Sequence, residues 1–146
     1  ALASLEPLSN MVHLTLTFLE ETELSPQGFR ALENMKKLES LVLKSREATI
    51  DAIWMDDNLF TGFISRLPKL TRLHFKLDSD ISTEALISLA RSHPNIVSFS
   101  TFGEFNLSDW VRLDQPLFPN LTSFAIGRPL FEGRTRRYAT RKECHI

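Results

Sequence analysis

Any chemistry in this chain must come from a short inventory of side chains. Four histidines, His13, His74, His93 and His145, stand apart from one another, and no H-E-x-x-H or C-x-x-C spacing accompanies them. Clustered imidazoles and thiolates are what hold zinc, so no metal site is expected. The single cysteine, Cys144, lies in a polar stretch with nothing rigid beside it to orient a base. It is therefore not read as a nucleophile, and alone it excludes an internal disulfide. Glycines at 28, 62, 103, 127 and 133 form neither G-x-G-x-x-G nor G-x-x-x-x-G-K, which removes the usual phosphate cradles. Asp56-Asp57 and Asp78/Asp80 hint at a hard-cation site but lack a loop of further oxygen ligands; they are read as a solvated turn and a helix-start cluster, respectively. Asn106-Leu-Ser108 and Asn120-Leu-Thr122 match the glycosylation pattern. Both are expected to stay unmodified, with Asn120 serving a turn. No catalytic residue, metal or cofactor is assigned.

One spacing does carry a consequence. Arg72, His74 and Lys76 occur at alternate positions, which places them on one side of a strand if a strand runs there. Such a strand is predicted by a phrase that occurs five times. It reads Leu8-Ser-Asn-Met11-Val-His-Leu14-Thr-Leu16, Met35-Lys-Lys-Leu38-Glu-Ser-Leu41-Val-Leu43 and Leu67-Pro-Lys-Leu70-Thr-Arg-Leu73-His-Phe75. His93-Pro-Asn-Ile96-Val-Ser-Phe99-Ser-Thr101 and Phe118-Pro-Asn-Leu121-Thr-Ser-Phe124-Ala-Ile126 complete the set. Each phrase ends in apolar-x-apolar, the period-2 signature of a short strand. The anchors Leu14, Leu41, Leu73, Phe99 and Phe124 are 27, 32, 26 and 25 residues apart. All but the 32-residue interval fall within the ~20–29 residues of a leucine-rich repeat; the exception implies an insertion, and Trp54 and Met55 are assigned to it.

Helices are predicted between the strands. Ser25-Pro26 supplies an N-cap and a first-turn proline, with Phe29 and Leu32 on one face. Ser82-Thr83-Glu84 repeats the plan and His93-Pro94 closes it. Asn58 is the expected cap of a third helix with Phe60, Phe63, Ile64 and Leu67 on its buried stripe, and Ser108–Val111 suggests a single turn. Trp54 and Trp110 are read as packing residues.

With 23 leucines among 146 residues, the chain resembles the leucine-rich-repeat superfamily, in its ribonuclease-inhibitor-like branch. Arg91-Ser-His-Pro-Asn95-Ile96 and Leu117-Phe-Pro-Asn120-Leu121 resemble the repeats of fungal-type F-box/LRR adaptor proteins. The resemblance implies an α/β fold: an open solenoid of about five irregular repeats over residues 1–132, its parallel sheet on the concave face and its helices on the convex face. Many such repeats place Asn or Cys three positions after the second strand leucine. Here Leu19, Arg46, Asp78, Glu104 and Pro129 stand there, so the turns are expected to be irregular.

If the anchors point inward, the concave face carries His13, Thr15, Thr17, Ser40, Val42, Lys44, Arg72, His74, Lys76, Ser98, Ser100, Phe102, Ser123, Ala125 and Gly127, without one acid. Its centre is basic: Lys44, Arg72, His74 and Lys76 are the expected partner-binding residues, with Ser40, Ser98 and Ser100 supplying neutral hydrogen bonds at the rim. Such a face suits an acidic or phosphorylated protein segment.

The net charge of −1 does not fit a general nucleic-acid binder. No apolar run reaches the ~20 residues of a membrane helix, and no secretory segment opens the chain, so an intracellular setting, cytoplasmic or nuclear, is expected. Residues 133–146 hold five basic and one acidic residue, leaving −5 for the rest; they are read as a flexible tail. Ala1–Leu8 matches the end of a repeat's helix without its beginning, so the chain is read as a piece of a longer solenoid with Leu2, Leu5 and Leu8 exposed. The functional expectation is a non-enzymatic protein-interaction scaffold. The F-box resemblance implies substrate recognition for a ubiquitin ligase, with a Skp1-type adaptor as partner only if an F-box precedes this stretch. The alternative is a structural fragment of a larger repeat protein with no independent binding role; an enzyme is the remaining reading.

Overall fold

Each of the five phrases makes the same local turn before its strand. In the computed structural model, the amides of Met11, Leu38, Leu70, Ile96 and Leu121 bond to the carbonyls three residues earlier, those of Leu8, Met35, Leu67, His93 and Phe118, at 3.0–3.4 Å. The structure describes residues 8–19, 24–46, 50–103, 105, 108–111 and 113–127. The turn delivers the apolar-x-apolar segments as strands β1 (His13–Phe18), β2 (Ser40–Ser45), β4 (Arg72–Phe75), β6 (Ser98–Thr101) and β7 (Ser123–Ile126). Strands β3 (Ile50–Asp56) and β5 (Leu77–Asp80) fall between them, with helices α1 (Pro26–Leu32), α2 (Asp57–Ser65), α3 (Thr83–Ser92) and α4 (Ser108–Val111).

The larger sheet is parallel throughout, in the order β1-β2-β4-β6-β7. Its register is in line: Leu14, Leu41, Leu73, Phe99 and Phe124 are successive partners, and so are Leu16, Leu43, Phe75, Thr101 and Ile126. One carbonyl just before each strand helps hold that alignment. Val12, Glu39, Thr71 and Val97 each accept two amides from the next strand's entry, at 2.7–3.3 Å. Thr71 and Thr122 add their hydroxyls to Glu39 and Val97.

The two aligned rows face the core. Leu41, Leu43, Leu73 and Phe75 are fully buried, whereas Leu16 on edge strand β1 and Phe124 on edge strand β7 are only partly covered. Phe75 is the meeting point of sheet and helices, with the rings of Phe29 from α1 and Phe60 and Phe63 from α2 centred 5.7–6.4 Å away. At the other end Phe99 stacks on Phe118 and Phe124. Trp110 is buried against the same two rings, Phe118 and Phe124.

Helices α1 and α3 start as the residues dictate: Ser25 accepts from the Gly28 amide and Ser82 from the Glu84 amide, both at 3.2 Å. Helix α2 starts two residues earlier than expected. Its cap is Asp56, which accepts from the Leu59 amide at 2.9 Å, and Asn58 lies inside the helix. Asp56-Asp57 is therefore the helix start rather than a solvated turn. Asp57 also accepts both the amide and the hydroxyl of Ser82, tying the start of α2 to that of α3.

A second correction concerns the insertion. Residues 50–56 form a strand, β3, paired in parallel with β5 in a separate two-stranded sheet, Ile50 opposite Leu77 and Asp51 opposite Asp78. Asp78 and Asp80 thus lie on a strand, not in a helix-start cluster. Ile50, Ala52, Met55 and Leu77 bury one side of this sheet. Trp54 packs its ring edge-on to Phe29 at 5.3 Å and donates its indole N–H to the Leu24 carbonyl. Leu8 is 39% exposed. Leu2, Leu5, Asn106, Cys144, His145 and the basic stretch 133–146 lie outside the described residues.

Candidate functional site

The side chains opposite the core rows form the open face of the larger sheet. Arg72, His74 and Lys76 follow β4 at alternate positions. Their partners in register are Ser40 and Ser98 beside Arg72, and Val42 and Ser100 beside His74. Lys76 follows the strand's last residue, and its amide bonds to the Leu43 carbonyl at 3.1 Å, which sets it next to Lys44. Parallel strands lie about 4.8 Å apart and residues two apart are ~6.6 Å distant. The four basic residues therefore form one row with a branch: Arg72 at one end, the Lys44–Lys76 pair at the other, His74 between them.

Arg72 and Lys44 are exposed, His74 and Lys76 half-buried. Among the described residues the one salt bridge is Arg66–Glu33, at 3.4 Å and away from this face. The row therefore presents cations that no described carboxylate neutralises. His74 responds to this setting. Burial and then the charges of Arg72, Lys76 and Lys44 hold its imidazole below the ordinary histidine range, because each of them disfavours a further positive charge. Its Nε2 lies 2.7 Å from the Ser98 hydroxyl.

The serines do not all sit where the alternation suggests. Ser40 is half-buried, but Ser98 and Ser100 are only 6% and 8% exposed. Ser98 engages the His74 ring rather than serving as a rim donor. The contact had a legible signal, since Ser98 is the register partner of Arg72 and one pleat diagonal from His74, but the burial had none.

The other candidate residues have structural employment. His93 is buried, with Nε2 3.0 Å from the Leu67 carbonyl and Nδ1 2.7 Å from the Ser92 hydroxyl. Asn120 donates its side-chain amide to the Pro94 carbonyl at 3.1 Å, 26 residues earlier, and so links two successive phrases. Among the described residues no three His, Cys, Asp or Glu side chains come together as a metal site would need. No helix of the described residues is long and apolar enough to cross a membrane. A cavity of about 580 Å³ between the end of α3 and residues 113–119, and one of about 370 Å³ beside β5, include none of Lys44, Arg72, His74 and Lys76. No family model, curated protein or solved structure matches this chain.

Proposed function

We propose that this chain is part of a leucine-rich-repeat solenoid and works as a non-enzymatic scaffold, capturing a protein partner through an acidic or phosphorylated segment laid on its open sheet face. The observation that carries the proposal is the in-line register of β2, β4 and β6. It gathers Lys44, Arg72, His74 and Lys76 from separate phrases into one row, on a face whose fifteen positions hold no acid. Cations gathered without counter-charges raise the local potential and attract an anionic partner. Arg72, planar and exposed, grips a carboxylate or phosphate with two bonds. The five identical entry turns and the shared carbonyl ladder support the repeat assignment. Under the F-box/LRR resemblance the partner is a ubiquitin-ligase substrate inside the cell, and an F-box with its adaptor belongs to sequence outside this stretch.

The test is fluorescence anisotropy with a labelled aspartate-rich peptide, its phosphoserine counterpart and a neutral control. The parent binds the two anionic peptides. Arg72→Glu combined with Lys76→Glu weakens both by at least about tenfold, since attraction becomes repulsion, while circular dichroism stays unchanged because neither residue faces the core. Equal binding by parent and double variant would show that the face is only a solvated sheet.

A further inference from the structure

His74 stands in the middle of the basic row, and the groups facing it come from three strands. On β4 itself, Arg72 and Lys76 flank it two residues to either side. From β2, Val42 is its register partner and Lys44 lies beside Lys76. From β6, Ser100 is its partner and the Ser98 hydroxyl holds its Nε2 at 2.7 Å. Three of these groups are cations and none is a carboxylate; burial first and then these charges lower the affinity of the imidazole for a proton.

An anionic side chain laid across the row reverses that balance. It offsets the charges of Arg72, Lys44 and Lys76 and offers the imidazolium a counter-charge. The Ser98 contact accommodates both states, because a hydroxyl donates to a neutral Nε2 or accepts from a protonated one by rotating its hydrogen. With Nε2 accepting, the neutral ring carries its proton on Nδ1, so Nδ1–H is a donor in both states and protonation adds charge rather than a new donor at that atom.

Resting on the acidic-segment reading above, we propose that capture at this face takes up a proton at His74, so that the scaffold holds its partner more tightly as pH falls. By linkage, whatever favours the charged imidazole when the anion is bound must favour the anion when the imidazole is charged. The coupling is strongest in the range where histidine ordinarily titrates. It adds a fourth cation to the row only when the pH permits, while the three permanent charges maintain capture at neutral pH.

The probe is a short peptide alternating Asp and Ser, whose carboxylates stay ionised from about pH 7.5 to about pH 5.5. Titration calorimetry of the whole chain, in two buffers of different ionisation enthalpy, reads affinity and proton uptake together. The parent is expected to bind roughly five- to tenfold tighter at the lower pH, with net proton uptake at the intermediate pH. His74→Gln loses the slope and the uptake, whatever its affinity at neutral pH. NMR titration of the parent, with and without saturating peptide, follows the His74 ring directly and does not depend on any variant folding; its midpoint should rise on binding. Binding with the same affinity at both pH values, a slope retained by His74→Gln, or a midpoint that does not move would overturn the inference and leave the acidic-segment reading standing. No binding at either pH would overturn both.

Discussion

His74 and His93 are the same side chain put to different uses by what surrounds them. The backbone and a serine engage both ring nitrogens of His93 inside the protein, whereas His74 stands half-open among cations. The lowered value at His74 has a consequence for stability with a definite sign. The unfolded chain takes up a proton as pH falls through the ordinary histidine range and the folded chain resists it. Stability present above the unfolded value is thus lost as pH falls through the folded one. Urea midpoints measured against pH should show the parent losing stability relative to His74→Gln on acidification, and parallel curves would show that the ring titrates as in the unfolded chain. Two glycines give an opposing pair of expectations. Gly103 has φ +156°, and a Cβ there would lie 2.6 Å from the Phe105 ring, so Gly103→Ala should cost roughly 1–3 kcal/mol. Gly62, inside α2, meets nothing within 4 Å, and Gly62→Ala should stabilise by about 0.5–1 kcal/mol. Denaturant unfolding of the two variants checks both signs.

The elements are held by two devices, one polar and one apolar. The polar one is the repeated entry turn with its doubly bonded carbonyl, which leaves few backbone groups at the strand starts unpaired. The apolar one is the pair of rows that reach from the sheet to the helices through Phe29, Phe60, Phe63 and Phe75. Leu73 lies at the centre of the first row, fully buried between Leu41 and Phe99. Leu73→Asp would bury a carboxylate among apolar neighbours and should cost several kcal/mol, enough to unfold a domain of marginal stability. A thermal midpoint equal to the parent's would mean that the row does not face the core. Asp57 adds a polar tie between the starts of α2 and α3 by accepting the amide and hydroxyl of Ser82.

Across the whole molecule, charge is unevenly placed. The chain carries a net −1, yet the open sheet face gathers Lys44, Arg72, His74 and Lys76 at its centre and has no acid. Attraction for an acidic segment on that face acts through solvent and is screened by ions. Affinity for the aspartate peptide should fall by about an order of magnitude between roughly 0.1 M and 1 M salt, as the screening length shrinks from ~10 Å to ~3 Å. Anisotropy titrations at the two salt concentrations read this directly; a salt-independent affinity would point to apolar contacts instead.

The parts of this fold that were legible in advance are those decided over a few residues. Alternation in Leu41-Val42-Leu43 or Leu73-His74-Phe75 assigns each side chain to a face because the pleat has a period of two. Five phrases in the same order then align those faces, which is why the basic row could be named residue by residue. Ser25 and Ser82 announce their helices through a bond that spans two or three residues. What escaped the sequence depends on neighbours distant along the chain. Residues 50–56 become a strand because Leu77–Asp80 lies alongside to pair with them, and no local pattern carries that information. Asp56 outranks Asn58 as a cap because the preceding strand ends there. The burial of Ser98 and Ser100, and the contact of Ser98 with His74, depend on what lies across adjacent strands. Alternation sets which way a residue points; only packing sets how far water can follow it.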